Sequence, residues 1–175
     1  MKDSCSCIPC LVLPPNSFNE SSYKKYENDL YNIFIDDFVN HDVIFLGKKV
    51  CIDLNKMYDG KSDTFFHVIC GDKKTYPIFD RMERIHFPRR IIENYTQCES
   101  CELSCKIKMF KKTIKNKIRY HLFSEENKYM VVLEDEGKRM KLVTSFYIDQ
   151  PYKIHNYNQD YENFLKQKNK DSAVN

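Results

Sequence analysis

The chain has 175 residues, of which 30% are charged, with a mean hydropathy of -0.62 and a formal net charge of +3 at pH 7. No apolar run approaches the roughly 20 residues that a membrane-spanning helix requires. The apolar segment at 10–13 is too short for a signal-peptide core. We therefore expect one ordinary cytoplasmic domain without a membrane partner. So small a net charge does not by itself indicate nucleic-acid binding, and the distribution of charge matters more.

The start of the chain predicts an irregular lead-in followed by a helix. Residues 1–16 are rich in Cys and Pro and show no periodicity. Over 17–40, apolar residues recur every three or four positions, which predicts an amphipathic helix. Residues 42–54 then indicate two short strands around Gly47.

The middle of the chain predicts short helical elements. Residues 63–70 form an apolar element whose polar start is suited to capping a helical turn. Residues 80–94 predict a helix that Pro88 should kink or split, because proline lacks the backbone donor and clashes with the preceding turn.

From residue 105 onward the pattern is that of strands. Short gaps between successive strands predict an antiparallel meander of four segments, at 106–112, 117–123, 129–134 and 140–148. Pro151 should end the last strand, and 157–168 predicts a short closing helix. Helices followed by strands indicate an α+β fold, with N-terminal helices before a four-stranded antiparallel sheet. We expect a single domain over 17–168 and a disordered tail at 169–175.

Five segments, taken in order, carry a resemblance to a known family. They are Phe65-Phe-His-Val-Ile69, Arg81-Met-Glu-Arg-Ile85, Phe87-Pro-Arg-Arg-Ile-Ile92, Tyr129-Met-Val-Val-Leu133 and Leu142-Val-Thr-Ser-Phe-Tyr-Ile148. The set resembles the phage- and mobile-element-associated nucleases of the barnase, EndoU, colicin and RelE-like (BECR) superfamily, over roughly residues 43–167. The resemblance implies a four-stranded antiparallel sheet preceded by helices. It also implies metal-independent RNA cleavage, and many members of the superfamily are toxins.

His67 is the first candidate for acid or base chemistry. RNA cleavage by the 2′-hydroxyl needs a base, positive charge beside the phosphate and an acid for the leaving oxygen. An imidazole titrates near neutral pH and is able to serve as either acid or base. The alternative is a histidine packed among Phe65, Phe66, Val68 and Ile69.

Two arginines are the candidates for phosphate binding. Arg81 and Arg84 are three residues apart on the predicted helix and should share a face. Guanidinium groups match phosphate oxygens well. The alternative is a solvated helix face, because Glu83 and Glu93 are interleaved with the arginines.

Thr144 and Tyr147 complete the predicted catalytic set. In the related nucleases, a hydroxyl residue and an aromatic or polar residue of the final strand approach the scissile phosphate. Strict alternation puts Thr144 and Tyr147 on opposite faces, so both reach one site only if the strand bulges or twists. The alternative for Thr144 is an ordinary strand residue.

The strongest charge feature is a basic segment over 106–119 that contains no acidic residue. Such a hairpin is able to follow a phosphate backbone, and lysines also protect an edge hairpin from aggregation. The predicted RNA-binding residues are Lys106, Lys108, Lys111, Lys112, Arg119 and His121.

Two C-x-x-C motifs indicate a structural zinc site. Cys7 with Cys10 and Cys98 with Cys101 supply four thiolates, the usual ligand set of a closed zinc site. Such a site has no open position for catalysis. The alternative is a set of free thiols.

The leading functional hypothesis is a metal-independent endoribonuclease, a toxin or phage-related effector that cleaves tRNA, mRNA or rRNA and is controlled by an antitoxin or immunity protein. The alternative is a zinc-stabilised nucleic-acid-binding or regulatory protein without catalysis. A third hypothesis is a protein-interaction module without RNA affinity.

Overall fold

The structure is a computed structural model that describes residues 10–71, 76–97 and 106–173. Its helices are α1 (Glu20–Ile35), a π-helical turn (Asp36–Asn40), α2 (Asp63–Cys70), α3 (Phe79–Met82), α4 (Phe87–Gln97) and α5 (Pro151–Ala173). Its strands are β1 (Ile44–Phe45), β2 (Lys48–Cys51), β3 (Met57–Tyr58), β4 (Lys61–Ser62), β5 (Ile107–Ile114), β6 (Lys117–Ser124), β7 (Tyr129–Asp135) and β8 (Met140–Tyr147).

The first helix begins at a reciprocal cap. The Asn19 side chain accepts from the Ser22 backbone N–H, and the Ser22 hydroxyl accepts from the Asn19 backbone N–H. The predicted helix over 17–40 is regular only as far as Ile35, after which the chain forms the π-helical turn. That turn buries Asp37, whose carboxylate bonds to the side chains of His86, just before α4, and Arg89, within α4. These bonds fix the end of α1 against α4.

The sheet is larger than the sequence predicted, and it is mixed. The four predicted strands are confirmed as the meander β5 to β8, but they belong to a six-stranded curled sheet of order β1-β2-β8-β7-β6-β5. Strand β2 pairs in parallel with the start of β8, through Val50 with Met140 and Cys51 with Lys141. The prediction of a four-stranded, wholly antiparallel sheet was therefore wrong, because strands far apart in sequence also pair.

Both faces of the sheet are covered. A large core packs helices α1, α2 and α4 against one face, around Leu30, Phe34 and Phe65. A smaller core on the other face joins Phe110, Phe123 and their neighbours to the apolar side of α5. The closing helix, predicted as short, has 23 residues. Pro151 begins it at a position where a fixed φ and a missing N–H are tolerated, and it includes 169–173, where the sequence predicted a disordered tail.

Pro88 lies at the start of α4, so the helix predicted over 80–94 is two helices, α3 and α4. In the ranges that the structure describes, none of the helices combines the length and the apolar character that a membrane crossing requires.

Candidate functional site

A cleft of about 410 Å³ opens where β8 leaves the sheet and α5 begins. Its size lies within the range of small-molecule sites, about 300–1,000 Å³. Three elements contribute side chains to it, among them Asp80 and Arg81 from α3, Thr144 and Tyr147 from β8, and Lys153 and Tyr157 from α5. The cleft therefore joins segments that are distant in sequence, including three of the five residues predicted to be catalytic.

Arg81 lies along the edge of β8. Its Nη1 lies 3.4 Å from both the His67 and the Ser145 carbonyl oxygens and donates to them. The guanidinium carbon lies 5.3 Å from the centre of the Phe146 ring. A Cβ at Gly71, where φ is +76°, would lie only 3.1 Å from that carbon. Glycine at position 71 therefore makes room for the guanidinium group at the cleft.

Arg84 is held against the aromatic ring of Tyr147. Its guanidinium carbon lies 4.1 Å from the centre of that ring and 5.9 Å from the centre of the Phe87 ring. Its Nη1 also donates to the Asp80 carbonyl oxygen at 2.7 Å. Only 15% of the Arg84 side chain is exposed. Arg84 therefore positions Tyr147 at the cleft, and it is Tyr147 that lines the open space.

The register of β8 with β7 breaks just before Thr144. Val132 of β7 pairs with Thr144, whereas the next residue, Leu133, pairs with Leu142, so Val143 is an extra residue. Such a bulge bends and twists its strand. The shift precedes Thr144, and from Thr144 to Tyr147 the pairing with β7 is regular, so the bulge does not explain why both residues line the cleft.

His67 touches the cleft residues through its backbone. Its carbonyl oxygen accepts from the Thr144 hydroxyl at 3.3 Å as well as from Arg81. Its ring is about one-third exposed, and Nε2 lies 3.6 Å from a carboxylate oxygen of Asp63, one helical turn away. The side chains that line the cleft do not include the imidazole.

The basic hairpin of β5 and β6 is largely paired with acidic side chains from elsewhere. Lys112 bonds to Asp160 of α5 at 2.6 Å. Lys117 and Arg119 bond to Glu134 of β7 at 2.5 and 3.0 Å. Lys108 bonds to both Glu125 and Asn158. The 106–119 segment itself contains no acidic residue, and the acidic partners of its lysines and arginine come from β7, α5 and the turn after β6.

Two other predicted RNA-binding residues, both lysines, are exposed, and a third predicted residue is buried. Lys106 and Lys111 are exposed, and the Lys111 ammonium lies 5.3 Å from the centre of the Tyr120 ring. His121 is only 8% exposed and stacks on Phe110 with ring centres 4.9 Å apart. Its burial, assisted by nearby Lys112, lowers the pKa of the imidazole to about 4. His121 is therefore a neutral core residue, out of reach of a bound strand.

Most of the predicted zinc site lies outside the described residues. Cys7, Cys98 and Cys101 fall in segments that the structure does not describe, and the fourth cysteine, Cys10, is exposed. Within 10–71, 76–97 and 106–173, no three His, Cys, Asp or Glu side chains are grouped to hold a metal ion. The zinc site remains a prediction.

Sequence reasoning missed several residues that line the cleft, namely Asp80, Asp149, Gln150, Lys153 and Tyr157. Most of them surround the start of α5, which the apolar pattern placed too late. Pro151 was a usable signal, since proline is favoured at the first position of a helix.

The chain matches no family model, and neither a curated protein nor a solved structure is significantly similar to it.

Proposed function

We propose that the protein is a metal-independent endoribonuclease whose site is the cleft at the end of β8. One observation carries the proposal: Arg81, Thr144 and Tyr147, chosen for phosphate chemistry from distant parts of the sequence, line one open cleft of suitable size.

The chemistry uses the substrate's own nucleophile. The 2′-oxygen of RNA attacks the neighbouring phosphorus while the bond from phosphorus to the 5′-oxygen breaks. The products are a 2′,3′-cyclic phosphate and a 5′-hydroxyl. A base takes the proton from the 2′-hydroxyl, and an acid returns a proton to the leaving 5′-oxygen.

Each proposed residue has a role in that reaction. Arg81 neutralises the negative charge that grows on the non-bridging oxygens, and the Thr144 hydroxyl donates to one of them. His67 serves as the acid or the base, and a carboxylate oxygen of Asp63 lies 3.6 Å from its Nε2. The Tyr147 ring, stacked on Arg84, contacts a nucleobase of the RNA or donates a proton.

The biological setting follows from the resemblance to the BECR nucleases. We propose a toxin or phage-related effector that acts on tRNA, mRNA or rRNA and is restrained by an antitoxin or immunity protein. Exposed Lys106 and Lys111 extend the binding surface along the hairpin.

A non-catalytic nucleic-acid-binding protein is the second candidate. One observation favours it: the His67 imidazole is not among the side chains that line the cleft. The same arginine and hydroxyl groups would then hold phosphate without a general base.

Incubation of the purified protein with total RNA and with tRNA in EDTA distinguishes the two functions. His67→Ala is the informative variant because it removes the imidazole but keeps the carbonyl oxygen that accepts from Arg81 and Thr144. We expect discrete fragments from the wild type and a loss of at least about 100-fold in His67→Ala. His155→Ala, at an exposed histidine of α5, is the matched control and should cleave normally.

Intact RNA with the wild type, together with salt-sensitive binding, would contradict the nuclease proposal and support the binding function. Equal cleavage by the wild type and His67→Ala would remove His67 from the site.

A further inference from the structure

A second open space, which we call the α5 groove, adjoins the cleft. Its volume is about 400 Å³, close to that of the cleft, and most of the residues that line it belong to α5. Lys153 and Tyr157 line both spaces, so the groove begins where the cleft ends. The Tyr157 ring packs on Phe123 with ring centres 5.7 Å apart, which fixes one of the shared walls. A polymer bound in the cleft is therefore able to continue into the groove.

The α5 groove presents side-chain amides that the fold does not use. Asn156, Gln159 and Asn163 line it at the spacing of three and four residues that puts side chains on one face of a helix. All three are exposed, and within the described residues none of their amides has a hydrogen-bond partner. By contrast, the amide of Asn158, outside the groove, accepts from Lys108 at 2.7 Å. Unused amides are able to donate to phosphate and sugar oxygens, and to donate and accept at the edge of a base.

The charge of the α5 groove also suits an anionic strand. Two lysines and one aspartate line it. Lys112 bonds to Asp160 at 2.6 Å, so these two charges largely cancel. Lys153 makes no ion pair within the described residues and therefore supplies the excess positive charge. Because Lys153 lines both spaces, it lies where a phosphate would pass from the cleft into the groove.

We infer that the α5 groove is a second nucleotide subsite. Lys153 binds the phosphate at the border with the cleft, and the amides of Asn156, Gln159 and Asn163 hold the nucleotide beyond it. The inference rests on the proposed function, since it assumes that the cleft holds RNA. It narrows the substrate class to an RNA strand longer than a dinucleotide.

The dependence of affinity on strand length tests the inference. The probes are 2′-O-methyl oligouridylates of two, three, four and six nucleotides, in which the attacking hydroxyl is blocked, and the measurement is calorimetric titration. We expect the Kd of the wild type to fall about 10-fold once the strand extends beyond two nucleotides, as one or two added hydrogen bonds would give. A Kd that is independent of length would overturn the inference.

Replacing two of the amides should remove this gain. The double variant Asn156→Ala/Asn163→Ala should bind the dinucleotide as the wild type does and bind the longer strands no more tightly than the dinucleotide. Alanine is favoured in helices, so the exposed substitutions should not lower the Tm. Asn169→Ala, at an exposed position of α5 outside the groove, is the matched control and should keep the gain. The same gain in the double variant as in the wild type would overturn the inference.

The role of Lys153 has a separate measurement, the dependence of affinity on salt. Lys153→Met should make the slope of log affinity against log salt shallower by about 0.7 for the hexanucleotide, the contribution of one phosphate contact. Lys166→Met, at an exposed lysine of α5 outside both spaces, should keep the slope of the wild type. An unchanged slope in Lys153→Met would contradict a phosphate at the border.

Cleavage of unmodified RNA in EDTA shows which proposal fails. Cleavage with equal efficiency in the wild type and Asn156→Ala/Asn163→Ala, for strands of every length, overturns the subsite and leaves the nuclease proposal intact. A gain in affinity with length that depends on the two asparagines, without any cleavage, overturns the nuclease proposal and supports the subsite. Neither cleavage nor binding of the oligouridylates overturns both.

Discussion

The cleft at the end of β8 and the basic hairpin of β5 and β6 hold their cations in different ways. At the hairpin, Lys112, Lys117 and Arg119 each bond to a carboxylate at 2.5–3.0 Å. Beside the cleft, the Arg84 guanidinium stacks on a tyrosine ring and also lies 3.6 and 4.0 Å from carboxylate oxygens of Asp80 and Glu83. Lys153, which lines the cleft, makes no ion pair within the described residues. A carboxylate partner cancels much of the field of a cation, whereas an ammonium without an ion pair remains available to an anionic ligand. We therefore expect the hairpin to use its charge mainly for stability, and Lys153 to make the cleft the better place for a phosphate.

Replacement of Arg81 should have the largest effect if the cleft, and not the hairpin, binds the scissile phosphate. If the cleft binds the scissile phosphate, Arg81→Met should lower kcat for RNA cleavage about 100- to 1,000-fold, the usual cost of one donor to a developing oxyanion. The measurement is the initial rate of fragment formation, with Tm recorded in parallel because Arg81 also bonds to two backbone carbonyls.

Arg90→Met is the matched control. That arginine lies on α4 with a 52% exposed side chain and pairs with Glu93, so its loss should leave the rate unchanged. Similar rates for Arg81→Met and the wild type would show that the cleft is not the cleavage site.

The second test concerns the core of the hairpin, through the buried ring of His121. Its pKa is about 4 in the folded protein, because burial disfavours the charged form. An unfolded chain binds that proton below about pH 6.5, its ordinary value. The unfolded state is therefore favoured increasingly as the pH falls from about 6.5 to about 4, and the stability contributed by this group is complete only above that window.

Chemical denaturation between pH 4 and 7 measures the effect. We expect His121→Leu to remove about 2–3 kcal/mol of the wild-type loss of stability on acidification. His155→Leu, at an exposed histidine, should retain that loss. An identical pH profile for wild type and His121→Leu would mean that the hairpin exposes this ring after all, as an RNA-binding role requires.

The meander of β5 to β8 could be predicted because each of its strands pairs with the next strand along the chain. Strands β5 to β8 are joined by short turns, and adjacent segments with such gaps pair as hairpins. The parallel pairing of β2 with β8 was not predictable, since Val50 and Met140 are joined by a long crossover and no local alternation records the partner. The acidic partners of the hairpin were missed for the same reason, because Glu134 and Asp160 lie outside the basic segment.

Part of the cleft was predictable and part was not. Arg81, Thr144 and Tyr147 were selected from ordered motifs, and the structure brings them to one place. Gln150 and Tyr157 were missed because the polar first turns of α5 carry little apolar periodicity, so the pattern placed the helix start six residues late. The proline before that pattern was interpreted as the end of a strand, although it also begins a helix.

The smallest effect that we expect is a change in RNA affinity when a carboxylate partner of the hairpin is removed. It tests directly whether that carboxylate cancels the charge of its lysine. Asp160→Asn removes the carboxylate that pairs with Lys112 and leaves the lysine, whose side chain is 38% exposed, free to meet a phosphate. Glu162→Gln makes the same change of net charge at an exposed position of the same helix without releasing a cation. We expect Asp160→Asn to bind single-stranded RNA a few-fold more tightly at low salt, with the slope of log affinity against log salt steeper by about 0.7. Equal slopes for the two variants would show that Lys112 does not reach RNA even when unpaired, and the hairpin would then be a structural element alone.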